Sequence, residues 1–483
     1  MLFRSGVDRV DTRTLQIKQM ERPNESARGY ITDGHGSVRI MAVEPKASPN
    51  SQDTGVISYL YRKPATREWL RLSEYNFKDR SGFAPVAIDH DLNVAYGFKR
   101  NNGRRALYTV ALDGSLSEKL ILSRDDVDLS ETIRIGRRER VVGVSYVTDS
   151  RKAAFFDLTI EKLTQSFTHV LAHQPTVTIV DSSVDERKLL ILAGADDDPG
   201  KYYLYDRDSK QLRPLLSARV ELEGITLAKM KSVHYPAADG EMIPGYLTLP
   251  VGTESGKNKP AIVLPHGGPS ARDEWGFDWL SQYFAARGFA VLQPNFRGSA
   301  GYGERWLQEN GFKSWHTAVG DVLDGGRWLV SQGIADPNKL YVVGWSYGGY
   351  AALQSAVIDQ SLFKAVVAIA PVTDLGTFKE TWRNWSVFDL VGDFIGSGPH
   401  ILEGSPARNA GKIKVPVLLF HGALDRNVSI AQSRLMASRL EAAGVRYELI
   451  TWNSLDHALD DTVARTQMLR KIEAFLSQPT GAK

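Results

Sequence analysis

From about residue 229 onward, short apolar runs alternate with longer amphipathic stretches. Six runs have the composition of buried parallel strands: AIVLPHGG, FAVLQPNFRG, KLYVVGWS, KAVVAIAP, PVLLFHGALD and YELITW. Helical patterns lie between several of them, and glycines stand where helices are expected to stop, at Gly288, Gly333 and Gly444. Strand alternating with helix predicts a doubly wound, mostly parallel α/β sheet. The preceding segment, SVHYPAADGEMIPGYLTLP, is typical of a hairpin that leads into such a sheet.

The first half of the chain has a different pattern, in which apolar and aromatic residues alternate and Asn-Gly, Asp-Gly and Asp-Ser turns recur. An aromatic-containing strand followed by a polar turn repeats in steps of 47, 48 and 49 residues, at Tyr61, Tyr108, Phe156 and Tyr205. This period suits a β-propeller with four strands in each blade. Chance is the alternative, because aromatics and Asp-Gly turns are common in all-β proteins. We predict an all-β, propeller-like domain of about four to five blades over residues 1–225, and the α/β domain over residues 226–483.

The composition of the chain argues against several classes of protein and of functional site. A chain of 483 residues is too long for one ordinary core. Its formal net charge is +3 with no long basic run, so we expect no nucleic-acid partner. The absence of cysteine excludes disulfides, thiolate metal sites and a cysteine nucleophile. Metal-ligand spacings and a phosphate-binding loop are absent from the sequence, so we predict no metal and no cofactor. No apolar run reaches the roughly eighteen residues of a transmembrane helix, so we expect no membrane partner.

The compartment is left open by the sequence. The first residues, MLFRSGVDRVDTRT, lack the apolar region of a secretory signal. We expect a cytoplasmic protein if Met1 is the true start, and a periplasmic or secreted one if an N-terminal segment is missing.

The strongest chemical motif is Gly344-Trp345-Ser346-Tyr347-Gly348, which fits G-x-S-x-G. The apolar run KLYVV precedes it and the helical pattern YAALQSAVI follows it. In this context the serine lies on a sharp strand-to-helix turn with its hydroxyl exposed at the end of a sheet. The alternative is a tight glycine turn with an idle serine. We predict Ser346 to be a nucleophile.

A serine hydroxyl needs a base, and in this type of domain the partners follow in the order serine, acid, histidine. His421 and His457 are the histidines that lie well downstream beside a strand end, but His421 precedes the best acid candidate. We therefore predict His457 as the base and Asp425, after the run PVLLF, as the acid that orients it. Asp456 is the rival acid, but adjacent residues seldom point their side chains at each other. A solvated loop histidine is the alternative for His457.

The negative charge that develops during acyl transfer needs hydrogen-bond donors. We predict that one is the N–H of Tyr347, directly after the serine. The second is expected from the sequence HGGP after the run AIVLP, with Gly268 preferred and Gly267 as the fallback. For HGGP alone, a plain turn would be the simpler interpretation.

A further loop, Asn295-Phe296-Arg297-Gly298-Ser299-Ala300-Gly301-Tyr302-Gly303, follows another strand run. We predict that its side chains Arg297 and Tyr302, together with Trp345, line the substrate pocket. The alternative for the loop is a purely structural role.

These motifs together resemble those of the prolyl oligopeptidase family of serine peptidases. The matching segments are HGGP at 266–269, NFRGSAGYG at 295–303, GWSYGGY at 344–350, GSP at 404–406, HGALDRNV at 421–428 and LDHAL at 455–459. The resemblance is greatest to the acylaminoacyl-peptidase and dipeptidyl-peptidase-like bacterial branch, in which HGGP supplies an oxyanion donor. The resemblance implies a β-propeller ahead of the hydrolase domain that restricts access to short, flexible peptides.

The chain departs from the family in two respects. Family propellers usually have about seven blades, whereas this half has room for about five, so the propeller is shortened or its beginning is missing. Glu403 and Gly404 stand where some members carry an arginine, and the paired glutamates of dipeptidyl peptidases are not evident. The exact subfamily is therefore open.

We predict a serine peptidase that hydrolyses short peptides through an acyl-enzyme. A carboxylesterase is the second hypothesis, because the same groups serve esters. A non-catalytic binding protein with a propeller as its working surface is the third. The sequence leaves open the preferred residue at the cleaved bond, endopeptidase or exopeptidase action, and the oligomeric state, with a homo-oligomer compatible with it.

Overall fold

The computed structural model describes residues 5–44, 52–63, 66, 68–253, 257–308 and 311–478. The chain forms two compact units. The first comprises residues up to Glu223 with two later segments, Gly301–Glu304 and Trp385–Leu390. The second comprises the remaining residues from Gly224 onward. The division thus falls two residues before the predicted boundary after residue 225.

The described residues of the first unit form five antiparallel sheets whose strands follow one another in chain order. The first sheet consists of β1 (Ser5–Val10) and β2 (Ile17–Asn24). The second consists of β3 (Ala27–Thr32), β4 (Val38–Val43), β5 (Val56–Tyr61), β6 (Leu70–Asn76) and β7 (Ser81–Gly82). The third consists of β8 (Ala84–Asp89), β9 (Val94–Asn101), β10 (Arg104–Ala111) and β11 (Glu118–Leu122). The last two consist of β12 (Leu129–Ile135), β13 (Arg140–Val147) and β14 (Arg151–Phe155), and of β15 (Thr176–Ser182), β16 (Lys188–Ala195), β17 (Asp198–Asp206) and β18 (Gln211–Ser217).

Neighbouring sheets bury their apolar faces against each other in the order of the chain. Ile40 and Tyr61 of the second sheet pack with Ala95 and Val110 of the third. Similar cores join the third sheet to the fourth and the fourth to the fifth. Alternating strand residues therefore supply a separate core at each of these three junctions, as expected for a propeller-like domain.

An α-helix follows the fourth sheet of this unit, and the sequence interpretation missed it. The repeat at Phe156 predicts a strand followed by a polar turn, but β14 ends at Phe155 and α1 (Leu158–Val170) follows. The carboxylate of Asp157 accepts hydrogen bonds from the N–H groups of Thr159 and Ile160, which caps the helix. Ile160 and Phe167 then bury one helix face against the last two sheets.

The second unit is built on one sheet of eight strands. They are β19 (Met230–Pro236), β20 (Met242–Thr248), β21 (Lys259–Val263), β22 (Ala290–Pro294), β23 (Ala335–Trp345), β24 (Val366–Ile369), β25 (Val417–Gly422) and β26 (Tyr447–Trp452). The helices along this part of the chain are α2 (Trp279–Ala286), α3 (Glu304–Gln308), α4 (Trp315–Ser331), α5 (Tyr347–Ile358), α6 (Leu375–Thr381), α7 (Phe388–Ile395), α8 (His400–Glu403), α9 (Ala431–Ala442) and α10 (Thr462–Leu476).

The strand order is β19-β20-β22-β21-β23-β24-β25-β26. The hairpin of β19 and β20 is antiparallel, as predicted, and joins β22 antiparallel, whereas every pair from β22 to β26 is parallel. One face of the sheet packs with α2 and α10 in a core that includes Val343, Ile369 and Phe420. The predicted α/β-hydrolase fold is confirmed.

The parallel strands also determine where a site can form. The carboxyl ends of β23, β25 and β26 lie at the same edge of the sheet, and the loops that follow them carry Ser346, Asp425 and His457. Within the described part of the chain, no helix combines the length and apolar character needed to cross a membrane.

Candidate active site

Ser346 occupies a strained turn between β23 and α5. Its backbone has φ 59° and ψ −119°, a conformation that costs free energy in every residue except glycine. Two backbone hydrogen bonds hold Ser346 in this conformation. Its N–H donates to the carbonyl of Ile369 at 2.7 Å, and its carbonyl accepts from the N–H of Tyr350 at 3.1 Å. The turn therefore fixes the direction in which the serine side chain leaves the sheet.

The two motif glycines are required by close backbone contacts. A Cβ atom on Gly344 would lie 2.1 Å from the carbonyl oxygen of Gly348. A Cβ atom on Gly348 would lie 2.1 Å from the carbonyl oxygen of Pro265. Only glycine allows the start of α5 to approach both β23 and the segment after β21 this closely.

Asp425 and His457 are joined by a short hydrogen bond. The Nδ1 atom of His457 lies 2.6 Å from Oδ2 of Asp425. The other carboxylate oxygen, Oδ1, accepts from the N–H groups of Asn427 and Val428, each at 2.8 Å. Asp425 is 8% exposed, and the side chain of His457 retains 20% exposure. The imidazole is thus oriented from a buried carboxylate while part of its ring stays accessible.

The surroundings keep the Asp425 carboxyl ionised. Burial alone would raise its pKa, but hydrogen bonds from His421, His457 and the N–H of Val428 outweigh this effect and hold the pKa well below its ordinary value. An ionised carboxylate accepts the Nδ1–H of His457, which leaves Nε2 of that ring as the basic atom.

His421 is the member of this cluster that the sequence interpretation missed. We weighed it only as a base, yet the structure buries it completely and brings its Nε2 to 3.2 Å from Oδ2 of Asp425. Its position four residues before Asp425, at the end of a strand, was the available signal. The carboxylate therefore has two imidazole partners.

The loop that carries His457 is held from the neighbouring strands. The indole Nε1 of Trp345 donates to the carbonyl of His457 at 3.0 Å, and the N–H of Leu424 donates to the carbonyl of Leu455 at 2.9 Å. Asp456 is exposed and its Oδ1 accepts from the N–H of Ala458, so its side chain closes its own turn. The structure thus pairs His457 with Asp425, and it gives Trp345 a contact that positions the His457 loop. A substrate contact of Trp345 stays a prediction.

The HGGP segment lies against the serine. A Cβ atom on Gly267 would be 3.5 Å from Cβ of Ser346 and 3.3 Å from the carbonyl oxygen of Trp345. Gly268 is exposed, with φ +124°. Tyr347 is the first residue of α5, where N–H groups have no partner within the helix, and no backbone acceptor for it occurs among the described residues. Tyr347, Gly268 and Gly267 stay predictions as oxyanion donors.

Comparison with known proteins identifies the catalytic unit. The model of the prolyl oligopeptidase family matches residues 275–483. Residues 275–483 belong to the prolyl oligopeptidase family. Its members are serine-type peptidases, and the chain is accordingly a hydrolase of that class.

Individual relatives are similar to this chain beyond the residues that the family model matches. It is 27% identical to the dipeptidyl aminopeptidase BIII of Pseudoxanthomonas mexicana over 98% of its own length and 70% of the relative's. It is 30% identical to the acylamino-acid-releasing enzyme of Arabidopsis thaliana over 44% of its own length and 30% of the relative's. Among solved structures, a puromycin-hydrolyzing peptidase of Mycobacterium tuberculosis shares its fold, with a TM-score of 0.76 at 21% identity, over 97% of this chain and 72% of that one.

Within this prolyl oligopeptidase-family site, His266 braces the glycine segment. Its Nε2 lies 2.8 Å from Oγ of Ser299 and its Nδ1 lies 2.6 Å from the carbonyl oxygen of Gly267. Its ring stacks on Phe296 with ring centroids 4.4 Å apart. Burial lowers the pKa of His266 to about 4, so the ring is neutral near pH 7. Ser299 and Phe296 of the NFRGSAGYG loop thus fix the position of His266, the first residue of the HGGP segment.

The remaining predicted substrate contacts lie in the same loop. The Arg297 guanidinium is bound by two carboxylates, at 2.7 Å from Oδ1 of the fully buried Asp321 and 2.5 Å from Oδ2 of Asp239. The two carboxylates fix the position of Arg297 in the loop, and its place in the substrate pocket stays a prediction. Tyr302 is half-buried in the segment Gly301–Glu304, which clusters with the first unit, and its role stays a prediction.

Proposed function

We propose that this chain hydrolyses short peptides through an acyl-enzyme, with Ser346 as nucleophile, His457 as general base and acid, and Asp425 as the orienting carboxylate. The observation that carries the proposal is the 2.6 Å hydrogen bond from His457 to Asp425, at the sheet edge where Ser346 leaves β23. Membership of a serine peptidase family supports the same assignment.

The chemistry follows from the protonation states. Nε2 of His457 removes the proton of the Ser346 hydroxyl as Oγ attacks the scissile carbonyl, and the imidazolium then gives that proton to the leaving amine. Water, deprotonated by the same imidazole, hydrolyses the ester and restores Ser346. Asp425 stays ionised throughout, because its pKa is held low. It stabilises the imidazolium in each half-reaction.

The negative oxygen that forms during attack requires donors that are already in place. The N–H of Tyr347, at the positive end of α5, supplies one. The HGGP segment supplies the other, with Gly268 preferred, and the contact of Gly267 with Ser346 supports this assignment. Loss of one such donor lowers kcat by roughly 10²–10³-fold in comparable enzymes.

The names of the relatives support peptides as substrates. They include a dipeptidyl aminopeptidase, an acylamino-acid-releasing enzyme and a puromycin-hydrolyzing peptidase. Short peptides are the substrate class that these names have in common with the chemistry of the site. Free and blocked amino termini are the two alternatives within that class.

A digest of a mixed-length peptide library, read by mass spectrometry, tests the proposal. We expect cleavage of short peptides by the wild type and none by Ser346→Ala. Matched peptides with free and acetylated amino termini distinguish aminopeptidase from acylaminoacyl-peptidase action. Hydrolysis of p-nitrophenyl esters without any peptide cleavage would reject the proposal in favour of a carboxylesterase.

A further inference from the structure

We propose that His421 and Ser433 are positioning residues that orient Asp425 and limit how strongly its carboxylate attracts the proton of His457. The inference rests on the proposed function, because it concerns the same carboxylate. It goes beyond the three groups of the proposed mechanism by adding a second imidazole and a hydroxyl behind them.

A connected set of buried polar groups lies behind Asp425. His421 lies on β25 and Ser433 on α9, and both are 0% exposed. Nδ1 of His421 is 2.7 Å from Oγ of Ser433. Nε2 of His421 is 2.8 Å from the carbonyl oxygen of Val428 and 3.2 Å from Oδ2 of Asp425. Since the same oxygen accepts from His457, two imidazoles share one carboxylate atom.

The partners determine which nitrogen of His421 carries its proton. Nε2 faces two acceptors, a carbonyl and a carboxylate oxygen, so this nitrogen carries the hydrogen. Nδ1 then has a lone pair, and the hydroxyl of Ser433 donates to it. Ser433 thereby fixes the tautomer of His421, in the same way that Asp425 fixes the tautomer of His457.

The shared oxygen gives His421 an effect on catalysis. A second N–H at Oδ2 stabilises the carboxylate charge, so Oδ2 attracts the proton-bearing His457 less strongly. Without that N–H, the Asp425 carboxylate interacts more strongly with His457 and stabilises its imidazolium form. The imidazole would then keep its proton to higher pH, and the alkaline-rising limb of kcat/KM would move upward.

The other charged groups near this cluster are not changed by substitutions at His421 or Ser433. Arg426 and Asp456 lie on the loops that carry Asp425 and His457, and both are exposed. Arg465 of α10 donates to the carbonyls of Ala458 and Leu459. Because none of these groups changes, a moved profile would report the lost N–H.

The test compares His421→Leu, which removes the donor, with His421→Gln, whose amide can donate to Asp425 and accept from Ser433. We expect the midpoint of kcat/KM against pH to rise by roughly 0.5–1 unit in His421→Leu, and to return towards the wild-type value in His421→Gln. Ser433→Ala should move it in the same direction by less. Ser355→Ala, which also removes a buried hydroxyl, donated to Ala351 on α5, should leave it unchanged.

A second readout does not depend on turnover. The low-field proton resonance of the His457–Asp425 hydrogen bond, followed by NMR against pH, should show the same upward shift in His421→Leu. Superimposable wild-type and variant profiles, with only stability or kcat reduced, would overturn the inference and leave His421 a packing residue. If His421→Leu does not fold, the shift of the kcat/KM midpoint in Ser433→Ala tests the inference instead. Absence of peptide cleavage by the wild type would instead reject the proposed function, and the NMR titration would still test His421.

Discussion

The position of the Ser346 hydroxyl, the group proposed to react, is determined by the backbone geometry of the turn. The positive φ of 59° is maintained by the hydrogen bond from its N–H to Ile369 and by the two glycines around it. Such strain persists only where the surrounding structure determines it, which is typical of functional sites. The serine can therefore be replaced by alanine without loss of the contacts that form the turn.

Ser346→Ala is expected to abolish turnover and leave the fold intact. The loss should be on the order of 10⁶-fold in kcat, as when the nucleophile of another serine peptidase is removed. Steady-state kinetics on a peptide from the library, together with thermal unfolding, measure the two effects. A variant that kept a tenth of the wild-type activity would exclude Ser346 as the nucleophile.

Asp425→Asn tests the assigned acid against its neighbour. An amide cannot stabilise the imidazolium and favours the wrong tautomer, so kcat should fall by roughly 10⁴-fold. Asp456→Asn is the matched control, because its exposed carboxylate accepts a hydrogen bond from the N–H of Ala458 in the same turn. We expect the control to stay within about threefold of wild type, since an exposed turn contact contributes little. A larger loss in Asp456→Asn than in Asp425→Asn would reverse the assignment.

At the scale of residues, the pairing of Asp425 with His457 could be predicted from the sequence, because both follow strands and obey the expected order. The sequence places His421 close to Asp425 but does not show that both histidines contact the same carboxylate oxygen. The contact of His421 depends on how the chain turns between the end of β25 and Val428, and that path is determined by three-dimensional packing. Arg297 shows the same limit, since its partner Asp321 lies on α4, 24 residues away.

At the scale of elements, strands that are apolar throughout were identified reliably, because burial on both faces leaves a continuous apolar run. The helix α1 was missed for a specific reason. Its apolar positions Ile160, Leu163 and Phe167 follow a helical spacing, but a repeat centred on Phe156 favoured a strand. The capping residue Asp157 was the local signal that should have outweighed the repeat.

Gly348→Ala tests the packing of the turn between β23 and α5. The new Cβ would lie 2.1 Å from the carbonyl oxygen of Pro265, so α5 or the HGGP segment must move. A shift of about 1 Å at a catalytic group lowers activity by roughly 10²-fold, and overpacking lowers the free energy of unfolding by about 1–3 kcal/mol.

Gly320→Ala on α4 is the matched control for that substitution. Apart from its chain neighbours and the backbone of its own helix, no atom of the described residues lies within 4 Å of the added Cβ, and alanine favours a helix over glycine by about 1 kcal/mol. We expect unchanged kinetics and a raised melting temperature for this variant. Full activity of Gly348→Ala would show that the turn tolerates displacement.

At the scale of the whole molecule, the sequence predicted the two types of unit but not how their strands associate. In the first unit every sheet pairs strands that are close in the chain, so a period of the sequence was enough to suggest them. In the second unit β22 lies between β20 and β21, and β21 lies beside β23. Such an order depends on long-range packing, which leaves no local trace in the sequence.

The stability of the second unit should depend on pH through Asp273. Burial raises the pKa of this carboxyl to about 8, and its Oδ2 is buried with no hydrogen-bond partner among the described residues. The unfolded chain loses this proton near pH 4. Between about pH 4 and pH 8 the folded state therefore holds a proton that the unfolded state has released, so the free energy of unfolding decreases as pH rises.

Asp273→Asn removes this dependence, and its amide can donate to Gln293, whose buried Oε1 also has no partner in the described structure. We expect the variant to exceed the wild-type melting temperature by at least about 2 °C at pH 8 and by less at pH 5. Asp359→Asn is the control in the same unit, because the hydrogen bond from Arg327 overcomes burial and lowers the pKa of that carboxyl. Its effect should be equal at pH 5 and pH 8, because Asp359 is ionised at both. Scanning calorimetry at the two pH values measures the difference, and an Asp273→Asn effect that did not grow with pH would mean that the buried carboxyl is already ionised at pH 5.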